Sequence, residues 1–474
     1  MDIWPPWPLI YISVKVHKEY SIKIIDGRFD KDWKKLLDIE LNDNTLCVGV
    51  TALTGLQLKY AVEFLEEVKN RKPSIKTVMG GIHVTPTYQD SIKEPFVDFV
   101  VRGDGEDVFY NLVKAIDNDD PYENIKGISF KDSSGVPIST PVADFVNLND
   151  LGELPLHLIN DEIERYIPIE KGFRKLIIFS SRGCSLGCAY CHDTNEFNLR
   201  RWRYLSAENT IDFLKMLMKK YKINYFIFQD DNFWQNKGRV EKFILLLERN
   251  KMSIKWGVYG APILSLKNYT YEDAQRLKSS GLEKILSGIE SVSPKIQKII
   301  RKPVDINDVY KVNRNFSKAE IKMIYSFMSG FPTETNDDLK LNIDSMLKIK
   351  KQTPSNDIGN MKPLIFYPGT PLYDWAINNG FKPPKTFIEW SAYSWSNYDV
   401  LPYPWLSLKR KQFLQNIYFT TLMLNPDYEY INSVLWIYIC KLLYPISHWR
   451  AKNLYFRFSP TLTLFNYMKK LNLF

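Results

Sequence analysis

The chain has 474 residues, 45% hydrophobic and 25% charged, a balance that excludes a disordered or fibrous protein and suits two or three packed domains. Five cysteines, odd in number and mostly clustered, argue against a disulfide framework and for a reducing compartment. The net charge of +9 is skewed, with eleven Lys/Arg against four Asp/Glu in residues 381–474; this suits nucleic acid, anionic lipid or an acidic substrate, or simply a solvated basic surface.

Met1-Asp2-Ile3-Trp4-Pro5-Pro6 has neither a basic n-region nor an apolar h-region, so no signal peptide is read and a cytoplasmic location is expected. From Ser21, short apolar runs alternate with helical patterns, the mark of a parallel α/β sheet. Strands are predicted at 21–25, 46–50, 77–79 and 96–101, with a helix over 57–70. Ligands of such sheets sit at the carboxyl ends of the strands, which singles out Thr51, Leu53, Gly80, Gly81, His83, Gly103 and Glu106. A glycine after a strand is equally ordinary turn chemistry. Residues 141–170, polar and carrying Gly152 and Pro155, read as a linker between a domain at 1–140 and a second at 171–380.

In the second domain a strand at 176–180 leads into Ser181-Arg182-Gly183-Cys184-Ser185-Leu186-Gly187-Cys188-Ala189-Tyr190-Cys191-His192. The C-x3-C-x2-C spacing gathers soft thiolates, which suit an iron–sulfur cluster or zinc. Three thiolates leave a fourth position open, and neither a fourth Cys nor a metal-spaced His pair closes it for zinc. Downstream strands are predicted at Tyr225–Phe228, 254–259, within 281–291, at 323–328 and at 364–367. Their ends carry Asp230-Asp231, which suit an ammonium group, a metal or a helix cap, then Gly288-Ile289-Glu290-Ser291. Glu290 is either a hydrogen-bond acceptor for a diol or a plain surface carboxylate. Next come Gly330-Phe331-Pro332-Thr333-Glu334-Thr335, whose following helix at 336–348 offers amides to an anion, and Pro368-Gly369-Thr370-Pro371-Leu372.

Residues 381–474 combine basic side chains with Trp390, Trp395, Trp405, Trp436 and Trp449, and show a helical pattern around Leu408–Leu422. They read as a helical cap over the barrel mouth, an interfacial membrane patch or a nucleic-acid groove; RNA-binding signatures are absent. The most apolar segment, 434–440, is interrupted by Lys441 and Pro445 and does not span a membrane.

The cysteine loop resembles that of the radical S-adenosylmethionine (SAM) enzymes. Pro5-Pro6, Gly80-Gly81-Ile82-His83, Val101-Arg102-Gly103-Asp104-Gly105-Glu106 and the linker Leu151-Gly152-Glu153-Leu154-Pro155 are similar to the class in which a cobalamin-binding domain precedes the radical SAM domain. That resemblance implies an α/β protein: an N-terminal Rossmann-like cobalamin-binding-type domain, a partial (β/α)6 barrel and a mainly helical C-terminal region. It implies a [4Fe-4S] cluster on Cys184, Cys188 and Cys191, with SAM on its fourth iron. Tyr190, Asp230, Asp231, Glu290, Ser291, Gly330 and Glu334 would contact SAM, and the strand-end residues of the first domain would contact cobalamin.

The implied activity is C–H functionalisation, first of all cobalamin-dependent methyl transfer. The alternatives are oxidative cyclisation or another cobalamin-independent radical reaction, and, outside enzymes, an iron–sulfur electron carrier or metal-binding regulator. A small-molecule or lipid-like substrate, an external electron donor and peripheral membrane contact through residues 381–474 are expected, and nucleic acid is not. The chain departs from the pattern in four places: only Met1 to Trp4 precede Pro5-Pro6, where such domains open with a central strand, so a domain lacking its first strand is expected; no D-x-H-x-x-G surrounds His17 or His83; no Arg follows the strand ending at Tyr259; and Thr333 stands where relatives carry glycine.

Overall fold

The computed structural model describes residues 4–393, 398, 400–425, 434–456 and 463. Residues 1–3, Trp395 and the side chain of Trp436, all used above, lie outside them. The first sheet is five-stranded in the order β1-β2-β3-β4-β5: β1 (Cys47–Thr51), β2 (Lys76–Gly80), β3 (Phe99–Val101), β4 (Ile128–Lys131) and β5 (Pro137–Ser139). β1 to β3 run parallel, and β4 and β5 return antiparallel. Helix Leu56–Arg71 makes the first crossover and buries Leu58, Ala61, Val62, Leu65 and Val68, one stripe at helical spacing.

Segment 21–25 is not a strand. Strand backbone needs a hydrogen-bonding neighbour, and among the described residues no strand pairs with it. Ile24 is buried from a coil, and Asp26 accepts from Arg28 Nε and Tyr166 Oη (2.9 and 2.8 Å). Its hydrophobicity is used, but its backbone is not laddered.

The second sheet contains β6 (Ile169–Glu170), β7 (Phe173–Ile178), β10 (Tyr225–Phe228), β11 (Lys255–Tyr259), β12 (Leu282–Glu290), β13 (Lys322–Ser329) and β14 (Met361–Pro363), in the order β14-β13-β12-β11-β10-β7-β6. A short hairpin, β8 (Ser181–Arg182) with β9 (Arg203–Tyr204), lies between β7 and β10 in sequence. Six consecutive parallel strands make the expected partial barrel, and β6 adds an antiparallel edge. All four residues of β10 are buried, as befits a parallel strand covered on both faces. The strand expected at 364–367 falls earlier, because β13 ends at Ser329: Ser329 pairs with Pro363, and the Leu364 N–H donates to the Ser329 carbonyl (2.9 Å) before the chain departs. Within the barrel, Lys175 and Lys284 both meet Glu170 (2.5 and 3.2 Å), with the Tyr225 and Tyr259 rings against Lys284.

An open barrel has two edges whose unpaired backbone must be covered. At β7, beyond the residues that β6 pairs, the cover is Trp7 of helix Trp7–Val16, whose Nε1–H donates to the Ile177 carbonyl (2.9 Å). At β14 it is the C-terminal region: the Met361 N–H donates to Thr421 Oγ1 (3.2 Å), the Met361 carbonyl accepts from Tyr398 Oη (3.1 Å), and the Leu364 carbonyl accepts from Tyr403 Oη (2.8 Å). Helix Leu408–Leu422 packs here, followed by helix Val434–Lys452, which continues through Lys441 and Pro445. No helix of the described residues is long and apolar enough to cross a membrane.

Candidate active site

The cysteine loop hangs from the β8–β9 hairpin. Gly183 sits at φ 80°, and a Cβ there would overlap the Arg201 carbonyl, so only glycine closes this turn. The Cys191 N–H donates to the Cys188 carbonyl (3.0 Å), while Ala189 bonds to Ile300 and to Leu372 of the Pro-Gly-Thr-Pro-Leu turn (2.8 Å each). Burial pushes the Cys184 thiol up to about 12 and raises Cys188 and Cys191 as well; the charge of Cys191 is felt at both other thiols. Thiols held together like this ionise only against a compensating cation, which a metal cluster supplies. Cys47 lies in β1, and Cys440 packs against Met423 Sδ (3.8 Å). Asn232 points Nδ2 at Cys184 Sγ (3.7 Å) and leaves a buried Oδ1 without a partner. Three soft donors beside an orphaned acceptor fit a cluster with one iron open to a polar ligand.

Above this loop, the end of β12 brings together four polar groups. Lys302 Nζ donates to Glu290 Oε1 (3.2 Å) and Tyr190 Oη (3.1 Å), and Ser326 Oγ of β13 donates to Glu290 Oε2 (3.1 Å). Burial pulls Lys302 down, but Glu290 and then Cys188 hold it above the ordinary lysine range; burial and Glu290 raise Tyr190 far above its own. Glu290 sits at φ 64°, a left-handed conformation that costs a non-glycine residue about 1–2 kcal/mol. Gly288 makes the room: a Cβ there would overlap Glu290 Oε1 and stand 2.9 Å from Lys302 Nζ. Arg301-Lys302-Pro303 also follows Glu290 in the sequence, but nothing in the residue order ties Lys302, Ser326 or Asn232 to this site.

The remaining predicted residues divide. Asp230 accepts from the Ser180 N–H (2.7 Å), Ser180 Oγ (2.6 Å) and Ser181 Oγ (2.7 Å), so both its oxygens are spent on fastening β10 to the β7–β8 connection. Exposed Asp231 accepts from the Gly183 N–H (2.7 Å), and one of its carboxylate oxygens lies within 4.8 Å of a ring nitrogen of His192 and a carboxylate oxygen of Asp193 beside Cys191. Ser291 is buried and its Oγ donates to Asn342 Oδ1 (3.3 Å). The Gly330 N–H donates to Glu334 Oε2 (2.8 Å); burial pushes Glu334 up to about 8, with Arg410 of the C-terminal region 3.8 Å away and Oε1 orphaned. Thr335 and Asp338 form a capping box that claims the Thr335 and Asp338 amides at the start of helix Asn336–Gln352.

In the first domain the turns after β1, β2 and β3 carry left-handed glycines, Gly55, Gly81 and Gly103. A Cβ on Gly81 would come within 2.7 Å of the Ala52 carbonyl, so this glycine serves the packing of two turns, whereas a Cβ on Gly103 would meet only open space. Leu53 and Ile82 are 40% and 43% exposed beside the ends of β1 and β2, where Thr51 pairs with Gly80. Bare backbone flanked by exposed apolar side chains fits a broad, flat cofactor. His83 is held differently: its Nδ1 meets Thr54 Oγ1 (2.9 Å), its ring packs on Phe387 and Trp390 (5.8 and 5.3 Å), and burial lowers it to about 4. Glu106 is engaged by Arg182 (2.5 Å), which also meets Asp104 (3.4 Å) and lies over the Tyr11 ring (4.5 Å). The two domains therefore join one residue before Gly183.

Residues 178–346 match the model of the Radical SAM superfamily, and residues 2–113 match that of the B12 binding domain. The chain is a B12-binding-domain-containing radical SAM protein. The relatives of this radical SAM chain include an uncharacterized methyltransferase, PH0819, of Pyrococcus horikoshii, 29% identical over 381 residues and covering 79% of each chain. They also include the anaerobic magnesium-protoporphyrin IX monomethyl ester cyclase of Cereibacter sphaeroides, 26% identical over 78% of this chain and 60% of that protein; this chain thus spans less than two thirds of the cyclase. The structure of the cobalamin-dependent SAM radical enzyme OxsB with aqua-cobalamin and SAM bound superposes with a TM-score of 0.71 at 18% identity, over 99% of this chain and 73% of that one. It shows that the fold is shared. The cofactors of this radical SAM enzyme are a [4Fe-4S] cluster, SAM and cobalamin, and its reaction uses a small-molecule substrate and an external electron donor.

Proposed function

We propose that this enzyme transfers a methyl group from SAM to an unactivated carbon of a small, lipid-like substrate, in the cytoplasm and in peripheral contact with a membrane. When bound, the cluster supplies the electron that cleaves SAM, and cobalamin supplies the methyl carrier. Cys184, Cys188 and Cys191 hold the cluster. The observation that carries the reading is the Glu290–Lys302–Tyr190–Ser326 array beside those thiols. Glu290 accepts from the ribose hydroxyls or ammonium of SAM, Lys302 holds that carboxylate in place, and Tyr190 lies against the adenine. Asn232 Oδ1 and Asp231 take the remaining polar end of SAM, in place of Asp230. Gly330 and Glu334 shape the pocket wall, and Ser291 supports it from behind. Thr51, Leu53, Gly80 and Gly103 face the corrin, while Gly81, His83 and Glu106 brace the turns that present it.

The test is anaerobic reconstitution with iron, sulfide and hydroxocobalamin, then addition of SAM and dithionite. Both 5′-deoxyadenosine and S-adenosylhomocysteine are expected. Neither product, with Cys188→Ala unchanged from wild type, overturns the reading. The cyclase relative favours a second reading, radical oxidative cyclisation: 5′-deoxyadenosine without S-adenosylhomocysteine and without a corrinoid spectrum would select it.

A further inference from the structure

Helix Val434–Lys452 turns an apolar stripe away from the protein. Tyr438, Leu442, Ile446 and Trp449 are spaced by four, four and three residues, one face of an α-helix, and are 68%, 77%, 52% and 54% exposed. Pro445 is exposed with them, and Lys441 and Lys452 are exposed at the border of the stripe. The opposite face buries Cys440, Ser447, Arg450 and Ala451, with Arg450 Nε–H donating to the Tyr455 carbonyl (3.1 Å). A helix that buries an arginine while exposing leucine and tryptophan is packed for two surroundings, protein on one side and a partner on the other.

The charge says which partner. Residues 430–474 contain six Lys/Arg and no Asp or Glu. A second copy would bring two lysine-bordered stripes together, and the helix itself carries no Asp or Glu to pair them, which like-charge repulsion opposes. We propose that this face is the docking surface for an anionic lipid bilayer, with the helix lying along the headgroup layer. Its 19 residues span about 28 Å. Trp and Tyr suit the headgroup boundary, Leu442 and Ile446 reach past it, and the lysines extend to the phosphates.

The stripe leads toward the barrel mouth. Just beyond the helix, Phe456 packs on Phe413 (5.4 Å) and its carbonyl accepts from Asn416 Nδ2 (2.9 Å). One turn before Phe413, Arg410 donates to Asn336 Oδ1 (2.6 Å) and to the Glu334 carbonyl (3.2 Å). Docking therefore brings the bilayer to the corner of the molecule that carries the Gly330–Thr335 turn. The inference rests on the membrane contact proposed above and is independent of methyl transfer, because vesicle binding is read without turnover.

The experiment is co-sedimentation of the full, reconstituted chain with vesicles of phosphatidylcholine alone or with phosphatidylglycerol added. The wild type should pellet with the mixed vesicles, weakly with the neutral ones, and less as salt rises. Leu442→Asp/Trp449→Asp alters only exposed side chains; it should keep the wild-type melting temperature and SAM cleavage in solution, and lower vesicle binding at least about tenfold. A wild type that stays in the supernatant, or a double variant that pellets equally, overturns the proposal. A wild-type dimer by analytical ultracentrifugation that the double variant loses overturns it in favour of a second copy.

Discussion

Gly288→Ala probes the site without removing any chemical group from it. Gly288 is not in the left-handed region, so alanine meets no backbone strain there. Its Cβ would overlap Glu290 Oε1 and stand 2.9 Å from Lys302 Nζ and 3.4 Å from Glu290 Cδ. The atoms in the way are the ends of flexible side chains, so the fold survives and the carboxylate moves by roughly an ångström, enough to break its hydrogen bonds. Glu290 then leaves Lys302 at 3.2 Å and Ser326 at 3.1 Å, and with them the position from which it would meet SAM. One charge-assisted hydrogen bond is worth about 1.5–3 kcal/mol, so SAM should bind roughly 10- to 150-fold more weakly. Anaerobic calorimetric titration of SAM into the cluster-loaded variant measures this, with iron content and melting temperature as controls. Affinity within twofold of wild type, in a variant with full iron and an unchanged melting temperature, would refute the assignment of Glu290 and its array to SAM.

Breaking the interdomain pair with Arg182→Met leaves Glu106 buried without its cation, and should lower stability to chemical denaturation by about 3 kcal/mol; adding Glu106→Gln should restore part of it. Thr333 sits at φ 62°, where a β-branched residue is strained. Thr333→Gly should therefore raise stability by about 0.5 to 1 kcal/mol net of glycine's greater freedom when unfolded, seen as a higher melting temperature. His83 is held near 4 in the fold by burial. Apart from the opposite slope that Glu334, held up at about 8, contributes, the unfolded chain thus takes up a proton at His83 below about pH 6.5 that the folded one refuses until about pH 4, so the His83 contribution to stability should fall by about 3 kcal/mol as pH drops through that window. His83→Gln should flatten that slope in a pH series of unfolding curves.

The barrel strands could be read from residue order because strands covered on both faces are continuous apolar runs stopped by polar or glycine turns; β10 is the plainest case. Segment 21–25 looks the same locally, but a strand is a property of a pair, and its partner is not visible in its own residues. Asp230 and Asp231 were indistinguishable as letters. Successive residues at a strand end point opposite ways, which sends Asp230 into Ser180 and Ser181 and Asp231 toward the cysteine loop. Lys302 was visible but mute: it reaches Glu290 only because Arg301, at φ 52°, turns the end of helix Pro294–Ile300 back toward β12.

The six-stranded barrel does not close on itself. Its two rims are finished by Trp7 on one side and by Thr421, Tyr398 and Tyr403 on the other, residues from opposite ends of the chain. The catalytic segment is therefore a staple's middle, not a removable module. A chain cut to residues 171–380 would bare the ladders of β7 and β14 at once, and two raw strand edges invite chain-to-chain pairing; such a fragment should aggregate where the full chain stays dispersed.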